Sequence, residues 1–173
     1  STTGTVIQRL QRLHRAWLPP RRCSMAAPAT SNAGSFGPRD QALREARVCY
    51  DHLAGTLGVA LKANMIEAGY LSASGDMATL SKPGEQWLER IGIDMRALHA
   101  QRRTLCRLCM DWSERRTHLA GSVGSALFQR MLMLGFFERV DASRALIVKP
   151  QGRKFVATLA SGSSSRERIR FTR

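Results

Sequence analysis

Cys49 and His52 stand three residues apart, and Cys109, Asp111 and His118 form a second group with the thiol again ahead of the imidazole. Thiolate, imidazole and carboxylate are competent ligands for a borderline metal ion. On a helix, residues three apart share a face, so the spacing sets Cys49 beside His52. Both histidines also open the same motif, His-Leu-Ala-Gly, at 52–55 and at 118–121. A structural duty, such as a bond to a neighbouring backbone carbonyl, would account for both at once, and the two readings stand side by side. Cys106 and Cys109, three apart as well, fit small buried residues on a helix.

A second set of residues suits nucleic acid. Lys62 and Asn64 in one stretch, and Gln129 and Arg130 in another, occupy places where a recognition helix would carry its reading side chains. Asn and Gln pair with adenine in the major groove and Arg pairs with guanine. Arg139, Arg144, Arg153 and Lys154 gather around a later turn, where they suit phosphate. Arg102, Arg103, Arg107, Arg115 and Arg116 add a basic run that equally fits a solvated helix face.

These candidates are positioned by a duplication. HLAGTLGVALKANMIEAGYL (52–71) returns as HLAGSVGSALFQRMLMLGFF (118–137), with nine of twenty positions identical at a spacing of 66. LSKPGEQWL (80–88) then faces VKPQGRKFV (148–156) at a spacing of 68, the two extra residues falling in turns. Register kept over several elements marks a repeated structural unit. Each copy reads as a long helix, a short hairpin and a second helix. The stripes Leu53-Leu57-Leu61-Met65 and Leu119-Val123-Leu127-Met131 are apolar at i, i+4, and suit a packing or dimer helix as well as a recognition helix. Gly69 and Gly135 sit where a left-handed cap belongs. Strands are expected at Tyr70–Ala73 with Met77–Leu80, and at Phe136–Val140 with Leu146–Val148. Pro83 and Pro150 suit the first turn of the closing helices, and in the first copy Ser81 is well placed as the cap. Helical composition runs from about Asp40 through ALREARVCYDHLAG, and Asp94 caps an expected helix through MRALHAQRRTLCRLCMDW.

The fold class expected is mainly α with short β-hairpin wings (α+β), as tandem pseudo-repeated winged-helix units. Residues 40–93 form the first, and 94–160 the connecting helix and the second. Residues 1–39 read as a basic amphipathic helix (Val6, Leu10, Leu13, Trp17) and a Pro-, Ala-, Ser- and Gly-rich linker, and 161–173 as a basic disordered tail.

The formal net charge of the 173 residues is +14. Residues 1–47 hold eight basic and two acidic side chains, so much of the excess lies in the arms. A polyanionic partner follows, double-stranded DNA first and a membrane surface, through residues 5–18, a distant second. Four cysteines without a secreted pattern, and no apolar run of spanning length, point to the cytoplasm. An Arg-rich, acid-free start superficially like a transit peptide stands against that. No glycine-rich phosphate loop, nucleophile elbow or zinc-protease helix motif is present, so an enzyme is not expected.

ARVCYDHLAGTLGVAL, LSKPGEQWLERIGID and CMDWSERRTHLAGSVGSAL together resemble the carboxy-terminal half of long ArsR-type winged-helix bacterial regulators, over about residues 40–160. The resemblance implies a homodimeric repressor answering to a metal or small-molecule inducer. In such proteins a DNA-binding winged helix precedes this half, and residues 1–39 do not look like one. The family's familiar metal motifs are absent, so the resemblance itself assigns no ligands. The sequence therefore supports an effector-responsive DNA-binding regulator. Its alternative is a dimerisation, effector-sensing or protein-interaction module that does not read DNA.

Overall fold

Where a continuous helix was expected, the chain becomes extended at Ala46, turns back at Tyr50 in a left-handed backbone (φ 56°), and enters its next helix through Gly55 (φ 85°). The computed structural model describes residues 40–159, which lie within one compact unit. The arms named above, 1–39 and 161–173, fall outside the described residues.

Helix α1 (Gln41–Glu45) is followed by strands β1 (Arg47–Cys49) and β2 (His52–Ala54), helix α2 (Thr56–Glu67), strands β3 (Leu71–Ser74) and β4 (Met77–Leu80), and helix α3 (Lys82–Arg90). The same order then repeats: α4 (Met95–His99), β5 (Arg107–Asp111), β6 (Arg116–Ala120), α5 (Gly121–Met133), β7 (Phe137–Arg139), β8 (Leu146–Val148) and α6 (Pro150–Thr158). The fold mixes helix and sheet.

Several local signals act as expected. Gly69 and Gly135 take φ of 72° and 67° just past the two long helices. Ser81 caps α3 by accepting the Gly84 amide, and Pro83 and Pro150 sit in first turns. Asp94 accepts the Ala97 amide, but the helix it caps ends at His99.

Other expectations are corrected. The stretch through ALREARVCYDHLAG is helical only over Gln41–Glu45, and the helix expected through MRALHAQRRTLCRLCMDW gives way to strand β5. Arg107 and Arg116 therefore lie on strands rather than on a connecting helix, and so does Cys109. Leu53 and Leu119 belong to strands β2 and β6, so each apolar stripe begins one element before its helix. Gly55 precedes α2 rather than lying within a helix.

The two copies interlock. The β3–β4 hairpin of the first pairs with the second, through Met77 against Arg107 and a 3.0 Å bond from the Leu108 amide to the Asp76 carbonyl. The β7 to β8 connection of the second copy reciprocates. Arg47 bridges to Ala145, and the Val48 amide donates to the Arg144 carbonyl at 2.8 Å. Helix α2 lies on β6 and α5 lies on β2, so each long helix packs on the other copy's first hairpin. Leu61, Met65, Leu119, Val123, Leu127, Phe128 and Met131 are buried in the resulting core. Burying a side chain of this size contributes roughly 1.5–3 kcal/mol, and here that energy holds the copies to one another.

Glycine lets each long helix pack tightly on the strand before it. A Cβ on Gly58 would stand 3.6 Å from His118 Cβ and 2.6 Å from the Leu53 carbonyl oxygen. A Cβ on Gly124 would meet His52 Cβ at 3.6 Å and the Leu119 carbonyl oxygen at 2.6 Å. Each glycine thus lies over the histidine of the opposite copy, and the carbonyl of its own copy's strand is what leaves no room for a side chain.

Candidate metal centre

In each first hairpin the thiol and the imidazole are cross-strand partners: Cys49 faces His52, and Cys109 faces His118. Directly opposed residues project on the same side of an antiparallel pair. Cys49 and His52 were expected side by side on a helix. They are side by side, but across a tight hairpin turn. The packing of the copies then brings the two pairs together. His52 Nε2 lies 3.2 Å from His118 Nε2, and Cys49 Sγ lies 4.0 Å from Cys109 Sγ. All four ligand atoms fall within 4.8 Å of one another. Both imidazoles are buried, while the thiols are half-buried.

A carboxylate stands behind each imidazole. Asp51 Oδ1 is 3.1 Å from His52 Nδ1, and Asp111 Oδ2 is 3.4 Å from His118 Nδ1. Each carboxylate is gripped by an arginine from the other copy. Arg103 bonds both oxygens of Asp51, and Arg47 Nη2 meets Asp111 Oδ1 at 2.6 Å. Asp111 also accepts from the Gly55 amide at 2.7 Å, from Ser113 Oγ at 2.8 Å and from the Ser113 and Glu114 amides. Asp111 was expected as a ligand, and its oxygens are directed at these donors instead.

Electrostatics follow from burial and these bonds. Burial pushes the Cys49 thiol up to about 11, with the Cys109 thiol adding to the shift. Burial draws His118 down to about 4, reinforced by His52, and it also lowers His52. Arg103 chiefly holds Asp51 well below the usual carboxylate range. Burial raises the Asp111 carboxyl, but its donors, the Gly55 amide first, more than offset this and hold it at about 2.

Two neutral imidazoles share two ring protons. His52 Nδ1 faces a carboxylate and so carries its proton, leaving Nε2 bare. The 3.2 Å contact then needs the proton of His118 on Nε2. That leaves His118 Nδ1 bare against Asp111, and it is indeed a buried nitrogen with no hydrogen bond of proper geometry. A cation between the two Nε2 atoms removes the conflict, because His118 then carries its proton on Nδ1, facing the Asp111 carboxylate.

No family model matches the chain, and no solved structure does. The chain is 36% identical over 111 residues to the uncharacterized HTH-type transcriptional regulator YdfF of Bacillus subtilis (strain 168). The match takes in 64% of this chain and 49% of the relative, so the chain spans about half that protein's length. No helix among the described residues is long and apolar enough to cross a membrane.

The residues expected to face DNA lie on α2, α5, α6 and the β7–β8 hairpin. Lys62 Nζ donates to Thr117 Oγ1 at 3.1 Å, with its basicity lowered by burial and then by Arg116. Asn64 donates to the Val156 carbonyl at 2.7 Å, and Arg130 Nε to the Ile91 carbonyl at 2.6 Å. Arg153 pairs with Glu45 at 2.7 Å and bonds the Val148 carbonyl. Arg139 lies over the Phe128 ring at 5.4 Å. Gln129, Arg139, Arg144, Arg153 and Lys154 are exposed.

Asp51, Arg47 and Arg103 are the site residues that sequence reasoning missed. A signal was present: Cys49-x-Asp51 and Cys109-x-Asp111 share one spacing, offset by 60, whereas the two histidines are offset by 66. The six extra residues lengthen the second hairpin.

Proposed function

We propose that the chain is part of an effector-responsive, DNA-binding transcriptional regulator of ArsR type, with the Cys49, His52, Cys109 and His118 cluster as its effector site and a metal ion as the effector. The observation that carries this reading is the convergence of two thiols and two imidazoles, one pair from each copy, within 4.8 Å. The regulator half of the reading rests on the likeness to a helix–turn–helix regulator and on the +14 charge. Each copy is taken as winged-helix-like, with β3–β4 and β7–β8 as wings. The protein acts as a cytoplasmic homodimeric repressor. Gln129, Arg139, Arg144 and Lys154 are its exposed candidates for contact with DNA. Lys62, Asn64, Arg130 and Arg153 could join them only by giving up the bonds they make inside the fold.

A gel-shift titration of a promoter fragment, at low and rising salt and with and without zinc, tests the reading. Affinity should fall steeply with salt, weaken in Arg144→Ala and change when metal is added. If no fragment shifts even at low salt while zinc still binds, the second reading holds: an effector-sensing or dimerisation module that does not read DNA. The internal bonds of Lys62, Asn64 and Arg130 favour that second reading.

A further inference from the structure

We infer that the cluster is a closed, tetrahedral site for a zinc-class divalent ion shared between the two copies, and that Arg103–Asp51 and Arg47–Asp111 are positioning pairs that turn the two imidazoles onto it. This deepens the metal-effector reading and rests on it.

Three observations select the ion. The first is shape. A tetrahedron with metal–nitrogen distances of about 2.05 Å and metal–sulfur distances of about 2.3 Å has a nitrogen–nitrogen edge of about 3.3 Å and a sulfur–sulfur edge of about 3.8 Å. The corresponding separations here are 3.2 Å and 4.0 Å. Only the mixed edges, at up to 4.8 Å, must close, by about 1 Å. The second is charge. Two thiolates neutralise a divalent ion, whereas a monovalent ion would leave a net negative charge in a largely buried place. Hard ions such as magnesium and calcium prefer oxygen, and none of the four converging atoms is oxygen.

The third is the surroundings. Ligating histidines usually bond a carboxylate through the ring nitrogen that is not on the metal, which fixes their tautomer and aim. Both histidines here have that carboxylate, and both carboxylates are gripped by an arginine of the opposite copy. The bare, buried Nδ1 of His118 gains its proton and its acceptor once Nε2 turns to a cation. With four protein ligands the ion keeps no open position, so it serves as a clasp between copies rather than as a catalyst. Filling the site fixes both hairpins, and with them α2 and α5.

Cobalt(II) replaces zinc and reports its geometry by visible absorption. Titrated into the metal-free full chain, it should saturate at one equivalent with the intense bands of a tetrahedral ion and a sulfur charge-transfer band. Zinc should then displace it. Zinc at a hundred times its dissociation constant should raise the melting temperature by about 5–10 °C. Arg103→Ala, at a partly exposed position, should leave the fold intact, weaken zinc at least about tenfold and shift the cobalt bands. Weak octahedral bands, or bands without sulfur charge transfer, would overturn the closed site while leaving a metal effector in place. Binding of neither ion would overturn both. Unchanged affinity and spectrum in both Arg103→Ala and Asp51→Asn would remove the positioning role.

Discussion

His52 Nε2 and His118 Nε2 face each other at 3.2 Å across the duplication, each backed by an aspartate of its own hairpin. The relationship is reciprocal, because each histidine lies under a glycine of the other copy's long helix. A duplication has thus made one site from two halves, and neither half alone offers more than one thiol and one imidazole.

Equality of the halves is the first consequence. Cys49→Ser and Cys109→Ser should each weaken zinc by more than about a hundredfold, beyond what loss of an outer partner costs. Competition against a chromophoric chelator measures this, and a large inequality would mean that one hairpin binds alone.

The two aspartates should differ in what they do for stability. Asp111 is fully buried and bonded to Arg47, so Asp111→Ala strands a buried guanidinium and should cost about 3–5 kcal/mol in urea unfolding. Asp51 and Arg103 are partly exposed, and breaking their pair should cost about 1 kcal/mol or less.

Acid stability follows from the same carboxylate. The Asp111 carboxyl is held at about 2 against an ordinary 3.8. A depressed acid contributes stability above its unfolded value and loses it as pH falls through the folded one. The metal-free protein should therefore lose about 2 kcal/mol between roughly pH 4 and pH 2 from this group. In Asp111→Asn that part of the acid limb should flatten, as followed by circular dichroism.

Close approach at the helices makes a further prediction. In Gly58→Ala the new Cβ meets the Leu53 carbonyl oxygen of β2 at 2.6 Å, while His118 stays in ordinary contact at 3.6 Å, so α2 must shift against the strand that carries His52. A loss of about 1–3 kcal/mol is expected, together with weaker zinc binding, and Gly124→Ala should behave alike. Thermal melts and chelator competition on the two variants check both effects.

Thiol chemistry separates the cysteines. Cys106 is buried, and burial pushes its thiol up to about 11, so it should resist iodoacetamide at neutral pH with or without metal. Cys49, whose thiol burial also raises, should label slowly without zinc, and both Cys49 and Cys109 should become protected when it is added, as read by mass spectrometry of peptides.

Much of this site could be read from the sequence for a reason that does not depend on the element. Cys49 and His52 share a face on a helix at three residues' spacing, and they also share one across a tight hairpin turn. The pairing survives although the helix does not. The helix itself misled because Gln41–Glu45 and its neighbours carry good helix formers, while the chain turns extended at Ala46 and is then folded back at Tyr50. For Cys109 and His118 the six-residue lengthening of the hairpin hides the equivalence. The meeting of the two pairs depends on α2 and α5 crossing to the opposite copy, which no local pattern encodes. The grips of Arg47 on Asp111 and Arg103 on Asp51 are likewise products of that packing.

Native mass spectrometry of the full chain, loaded with zinc and freed of excess, tests the shared site most directly. One zinc per chain is expected, lost in Cys49→Ser and lost equally in Cys109→Ser. A chain that holds no zinc, or one whose zinc survives both single substitutions, would contradict the shared site.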